Sequence, residues 1–177
     1  MPDTTPLIVT LRFDDDAFER FQTMRKTHFP SSRNFIPAHL TLFHHLPGDK
    51  YETVCDELRK TAADWSPLTC KVSGVRFLGK GVAYDVECHQ VERLRADLAG
   101  IFYDDLTAQD RQRMKPHITI QNKVDPSKAR KLFEELDDAF EPFSFDVLGL
   151  MLWHYHGGPW ELAEEFPFSH ATTSGED

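Results

Sequence analysis

The sequence predicts an α+β fold of two related lobes, and three observations lead there. Two short segments, His39-Leu40-Thr41-Leu42 and His117-Ile118-Thr119-Ile120, each read histidine, aliphatic, threonine, aliphatic. They stand 78 positions apart, and the same offset aligns the elements after them: a polar turn, an amphipathic helix, and two strands about a glycine turn. The 177 residues carry 40% hydrophobic content, enough for one compact domain with a core of its own.

Taken in order, Leu7 to Phe13 alternates as a strand, and Asp14–Asp16 can cap a helix carrying Phe18, Phe21 and Met24. Residues 30–37 begin and end on proline and form a loop into the first motif. Beyond the turn Pro47-Gly48-Asp49-Lys50, the apolar positions Tyr51, Val54, Cys55 and Leu58 follow the spacing of a helix with one buried face. Leu68–Leu78 and Val82–Val86 are strands about Gly79-Lys80-Gly81, and Val91, Leu94, Leu98, Ile101 and Phe102 mark the next helix. Tyr103 to Lys115 reads as a polar connector. The second motif is followed by a helix from Asp125-Pro126 through Ala129, Leu132, Phe133 and Leu136. Phe145–Tyr155 and Trp160–Ala163 then form a second hairpin about Gly157-Gly158-Pro159.

The order βα-βαββ-α-βαββ, with short hairpins and helix returns, implies two antiparallel-rich sheets flanked by helices. The repeat spans about residues 37–86 and 115–164 of a single domain, 1–168, and the small polar residues 169–177 form a flexible tail. Two units are too few for a solenoid, so they are expected to pair about a pseudo-twofold axis that brings the motif strands together.

In a strand alternate side chains share a face, so His39 and Thr41 point one way while Leu40 and Leu42 point the other. Each motif thus presents an imidazole beside a hydroxyl. Two such strands face to face supply two acid–base groups and two hydroxyl donors around one small anion, the equipment for cleaving a phosphodiester without a metal. His39 and His117 are the candidate catalytic pair, and Thr41 and Thr119 the candidate phosphate-holding pair. Strict alternation also carries Phe43, His45, Gln121 and Lys123 onto the groove face as candidate substrate-lining residues. Phe43 either stacks a base or fills the core. Trp153, Tyr155 and Trp160 present the same choice. The His44-His45 pair and the His154/His156 pair have spacings that could serve zinc. No H-E-x-x-H pattern or carboxylate cluster joins them, so neither metal nor cofactor is expected.

At these residues the chain resembles the two-histidine (2H) phosphoesterases, in particular the branch called 2′-5′ RNA ligase-like or RNA 2′,3′-cyclic phosphodiesterase. The resemblance runs from the strand at Leu7–Phe13 to Phe168. It rests on one H-x-T/S-x motif per lobe and on the proline before the second, in Lys115-Pro116-His117. The hairpin Phe77–Tyr84 and the L-x-x-x-L helix at Leu94 and Leu98 add to it. The first motif departs in its continuation, Phe43-His44-His45-Leu46, where relatives are often more apolar and end on glycine. The resemblance implies a bilobal sandwich whose motif strands line a central groove. It further implies hydrolysis of a 2′,3′-cyclic phosphate, or the reverse joining of a cyclic end to a 5′-hydroxyl. Another small cyclic phosphate, such as ADP-ribose 1″,2″-cyclic phosphate, and RNA-end binding without turnover are the alternatives.

The formal charge of −9 argues against a long duplex partner. From Asp110 to Lys131, however, seven basic residues face two acidic ones, which suits a small cyclic nucleotide or an RNA end. No apolar run approaches the ~18 residues of a membrane span. The opening residues lack the basic and apolar regions of a signal peptide. Three cysteines without C-x-x-C spacing fit a reducing compartment. A cytoplasmic monomer that does not engage membranes is the expectation.

Overall fold

A computed structural model describes residues 3–170. Its main elements are β1 (Leu7–Phe13), α1 (Asp15–His28), β2 (Thr41–Leu46), α2 (Tyr51–Asp64), β3 (Leu68–Phe77), β4 (Val82–Glu87), α3 (His89–Ile101), α4 (Ala108–Arg111), β5 (His117–Gln121), α5 (Pro126–Asp138), β6 (Phe143–Tyr155) and β7 (Trp160–Pro167). The strands form one curled antiparallel sheet in the order β2-β1-β6-β3-β4-β5, with β7 joined to β6. The motif strands β2 and β5 are the two ends of this path.

The two sheets expected from sequence are fused, and β6 is the reason. At 13 residues it is about twice the common strand length. Its first part, Phe143–Val147, pairs with Leu68–Val72 of β3, and its remainder pairs with both β1 and β7. The two sequence units also interleave. Helix α2, which follows the first motif, packs on β6 and β7, while α5, which follows the second, packs on β3 and β4.

Helix α1 begins where the sequence places it. The Asp14 carboxylate accepts the Ala17 N–H at 2.8 Å and the Asp146 N–H at 2.7 Å, so one side chain caps the helix and ties it to β6. Acidic residues in its first turn and Arg25, Lys26 and His28 in its last complement the helix dipole. Its Phe21 is fully buried and meets the rings of Phe13, Tyr84, Phe143 and Phe145 at centroid distances of 5.4–6.1 Å. This aromatic cluster joins β1, β4 and β6 into one core. Cys55, Cys70 and Cys88 are all buried and free. Ser169 and His170, assigned to a tail from sequence, donate their N–H groups to the Ala62 and Trp65 carbonyls at 3.1 and 3.2 Å. The rest of that expected tail lies outside the described residues. Among the described residues, no helix is long and apolar enough to cross a membrane.

Candidate active site

The motif strands share a local irregularity that governs which side chains reach the groove. Val9 pairs with Phe43 and Thr10 with Thr41, so one step along β1 spans two along β2, and Leu42 is an inserted residue. On β5 the same happens: Val82 pairs with Gln121 and Ala83 with Thr119, leaving Ile120 inserted. Such a bulge breaks the period-two alternation, and the two residues after each threonine are buried together. The second bulge is closely backed. A Cβ on Gly81 would lie 1.9 Å from the Gln121 carbonyl oxygen, so only glycine fits there.

Ahead of each bulge the histidines are held in the same way. The Nδ1–H of His39 donates to the Pro37 carbonyl at 2.8 Å, and that of His117 to the Lys115 carbonyl at 2.8 Å. A carbonyl only accepts, so Nδ1 carries the proton and Nε2 is the working nitrogen of each neutral ring. Burial pushes the His39 imidazole down to about 4; the Pro37 carbonyl opposes this and the Arg25 charge adds to it. Burial also lowers His117, with the Lys115 carbonyl and Asp85 working against the shift and Arg76 with it.

Two buried arginines pin the motif strands from opposite sides. Arg25 of α1 donates to the Thr119 carbonyl at 2.9 Å and to the Asn34 side chain at 3.0 and 3.2 Å. Burial lowers it to about 10, so it remains a cation at neutral pH. Arg95 of α3 donates to the Leu42 carbonyl at 3.1 Å and to the main-chain carbonyl of Asp110, with its guanidinium over the Phe43 ring. The Asp110 side chain is fully buried; it accepts the N–H groups of His44 and His45 at 2.9–3.0 Å and His44 Nδ1–H at 3.1 Å. These contacts hold the bulged part of β2 in place.

His39, Thr41, His117 and Thr119 all line one cavity of about 460 Å³, within the size range of small-molecule sites. His44, Arg76, Arg95, Asp110, Arg113, Lys115 and Trp160 complete its charged and aromatic wall. One carboxylate among four cations makes the cavity locally positive in a chain of net charge −9, which concentrates small anions there. Arg76 is held by an ion pair to Asp85, whose backbone lies opposite His117 in the β4–β5 ladder.

Residues 13–159 match the family model described as the 2′-5′ RNA ligase superfamily. The chain belongs to that superfamily. No curated protein matches the chain. Among solved structures of similar fold, TT0787 of Thermus thermophilus is 16% identical with a TM-score of 0.65, covering 94% of this chain and 100% of that one. E. coli LigT, solved in complex with 3′-AMP, is 16% identical with a TM-score of 0.58, covering 95% of this chain and 100% of that one. A crystal structure described as a phosphoesterase is 16% identical with a TM-score of 0.60, again over 95% and 100%.

Within this superfamily fold, the residues beyond the H-x-T motifs depart from simple alternation. Phe43 is core, with no exposure, and Gln121 is 2% exposed; neither lines the cavity. His45 is exposed away from the cavity, and its N–H, not its ring, is engaged. Lys123 lies past the end of β5 at φ 62°, in a turn. The bulges turn Phe43 and Gln121 inward; a further register shift, between Leu7 and Val9, lets His44 reach the cavity while His45 is exposed elsewhere, and Lys123 falls beyond the end of its strand. Trp160 lines the cavity, Trp153 is buried behind it and Tyr155 is exposed. Sequence reasoning passed over Arg25, Arg95 and Asp110. The signal for Arg95 was a charge on the face of a helix otherwise marked by Val91, Leu94 and Leu98, while Asp110 lay in a stretch read as connector.

Proposed function

We propose that this chain is a cyclic phosphodiesterase that opens the 2′,3′-cyclic phosphate of a nucleotide or RNA end by metal-independent two-histidine catalysis. The observation that carries the reading is the matched pair of anchored imidazoles, each Nδ1 tied to a carbonyl two residues back, with both threonines on the same cavity. The chain thereby supplies an acid, a base and anion-holding groups from its own side chains. The nucleotide held by the similarly folded E. coli LigT is consistent with this substrate class.

His39, held neutral by burial, takes a proton from water through Nε2 as the water oxygen bonds to phosphorus. His117 has Asp85 nearby, which favours its charged form; its Nε2–H gives a proton to the departing ribose oxygen. One P–O bond to the water oxygen forms, one ester bond to a ribose oxygen breaks, and the product is a phosphomonoester beside a free hydroxyl. Thr41, Thr119 and the Arg76 guanidinium hold the non-bridging oxygens as charge grows on them. With a 5′-hydroxyl in place of water as the attacking group and the 3′-oxygen leaving, the same groups form a 2′-5′ linkage.

Incubation with the four 2′,3′-cyclic mononucleotides in the presence of a chelator tests the reading. Turnover to a single monoester isomer is expected, and the isomer identifies the ester cleaved. Absence of turnover of every cyclic nucleotide by the wild-type chain, alongside turnover of ADP-ribose 1″,2″-cyclic phosphate, would replace this substrate class with the other.

A further inference from the structure

We infer that His44 is a third working histidine of the groove, an anion-contacting ring that donates from Nε2 to a phosphate oxygen and is aimed by the buried carboxylate of Asp110. The role rests on the phosphoesterase reading for its substrate and on four observations of its own. First, the register shifts along β2 bring His44, rather than Phe43 or His45, to the cavity wall that holds His39, Thr41, His117 and Thr119. Second, His44 Nδ1 lies 3.1 Å from Asp110 Oδ1, and a carboxylate that also receives two backbone N–H groups is deprotonated and can only accept. The proton therefore sits on Nδ1, and Nε2 is the nitrogen left for a ligand.

Third, the Asp110 side chain has no exposure, whereas that of His44 is 47% exposed. A mobile surface ring would need no such fixture. Here a buried anion fixes one half-open imidazole in one tautomer, the pattern by which outer residues orient a working histidine. Fourth, His44 is close enough to both His39 and His117 for its charge to weaken proton binding at each. It lines the same cavity as both motif histidines, where an anion would sit. When a phosphate anion arrives, the ring is flanked by negative charge on both sides, from Asp110 at Nδ1 and the phosphate at Nε2. In the doubly protonated ring Nδ1–H donates to Asp110 and Nε2–H to the phosphate. Asp110 is the positioning residue in this pair and touches no substrate.

Titration of inorganic phosphate into the full chain by calorimetry tests this directly, with thermal denaturation to verify folding. His44→Ala is expected to weaken phosphate binding about tenfold, the loss of one charge-assisted hydrogen bond. His44→Gln, which keeps a donor near the Nε2 position, is expected to stay within about threefold of wild type. In cyclic nucleotide turnover, His44→Ala should raise KM more than it lowers kcat, unlike changes at His39 or His117. Phosphate affinity unchanged in His44→Ala, or no phosphate binding by the wild-type chain at millimolar concentration, overturns the role of His44. If phosphate binds through His44 but no cyclic nucleotide is turned over, that role stands and the proposed reaction falls.

Discussion

The indole of Trp160 lies against the imidazole of His39, ring centroids 4.7 Å apart and planes inclined at 54°. Trp153 backs the indole at 6.0 Å and donates its Nε1–H to Thr10 Oγ1 at 3.0 Å, and Thr10 is the ladder partner of Thr41. The first motif is thus cushioned by aromatic rings from β6 and β7. Among the described residues no ring pairs with His117 in this way. This difference gives unequal surroundings to two histidines that are otherwise anchored alike.

Trp160→Ala is expected to hydrate His39 and lift its pKa from about 4 toward the ordinary value of 6.5. A base must be neutral to act, so the acid limb of kcat/KM should move to higher pH by the same amount. Trp160→Phe should keep most of the wild-type profile. An acid limb that stays in place in the alanine variant would show that the indole does not set the His39 environment.

Replacement of either His39 or His117 by Ala should lower turnover about 10²–10⁴-fold with the fold intact. The double variant should lose less than the product of the two, because the rings act as a unit. Under the proposed mechanism, activity needs His39 neutral and His117 protonated. With His39 lowered to about 4 and His117 lowered from 6.5, kcat/KM should be bell-shaped with an optimum on the acidic side of neutrality. Bound phosphate stabilises protonated His117, so the basic limb of kcat should lie at higher pH than that of kcat/KM. A kcat/KM profile that keeps rising past pH 7 would contradict the assignment of His117 as acid.

Thr41 and Thr119 are separable from mere strand formers by comparing valine with serine. Thr→Val deletes a hydroxyl that donates to a charged oxygen, worth roughly 1.5–3 kcal/mol, and should reduce kcat if that bond strengthens in the transition state. Ser keeps the hydroxyl and should retain most activity. Valine variants with full kcat/KM would leave these residues with only their β-propensity.

The arginine pins carry a stability prediction. Arg95→Met strands the buried Leu42 carbonyl and should cost about 1–3 kcal/mol in urea denaturation, and Arg25→Met should do the same through the Thr119 carbonyl. Arg59→Met, which breaks exposed ion pairs to Asp56 and Glu164 and a distant contact with the Phe166 ring, should stay within about 0.5 kcal/mol of wild type. Equal effects at all three sites would mean that the pins do not hold the motif strands.

Much of this molecule was legible locally. The Asp14 cap, the amphipathic faces of α2, α3 and α5, and the i, i+2 relation of histidine to threonine all depend on neighbours a few residues away. Sequence alone therefore determined helices α1, α2, α3 and α5, both motif segments and the four side chains that meet in the cavity, but not the short α4. It could not determine the phase of β2 and β5 beyond their threonines. A bulge is set by the register of the partner strand, β1 or β4, and by a close approach such as that at Gly81. Nor could it pair Arg25 with Thr119, Arg95 with Leu42 or Asp110 with His44, contacts that span 94, 53 and 66 residues. Side-chain periodicity records which face of an element is buried but not what it is buried against. That choice belongs to the free energy of the whole sheet, where each buried charge must find its partner, and here it turned Phe43 inward, brought His44 to the groove and laid Trp160 on His39.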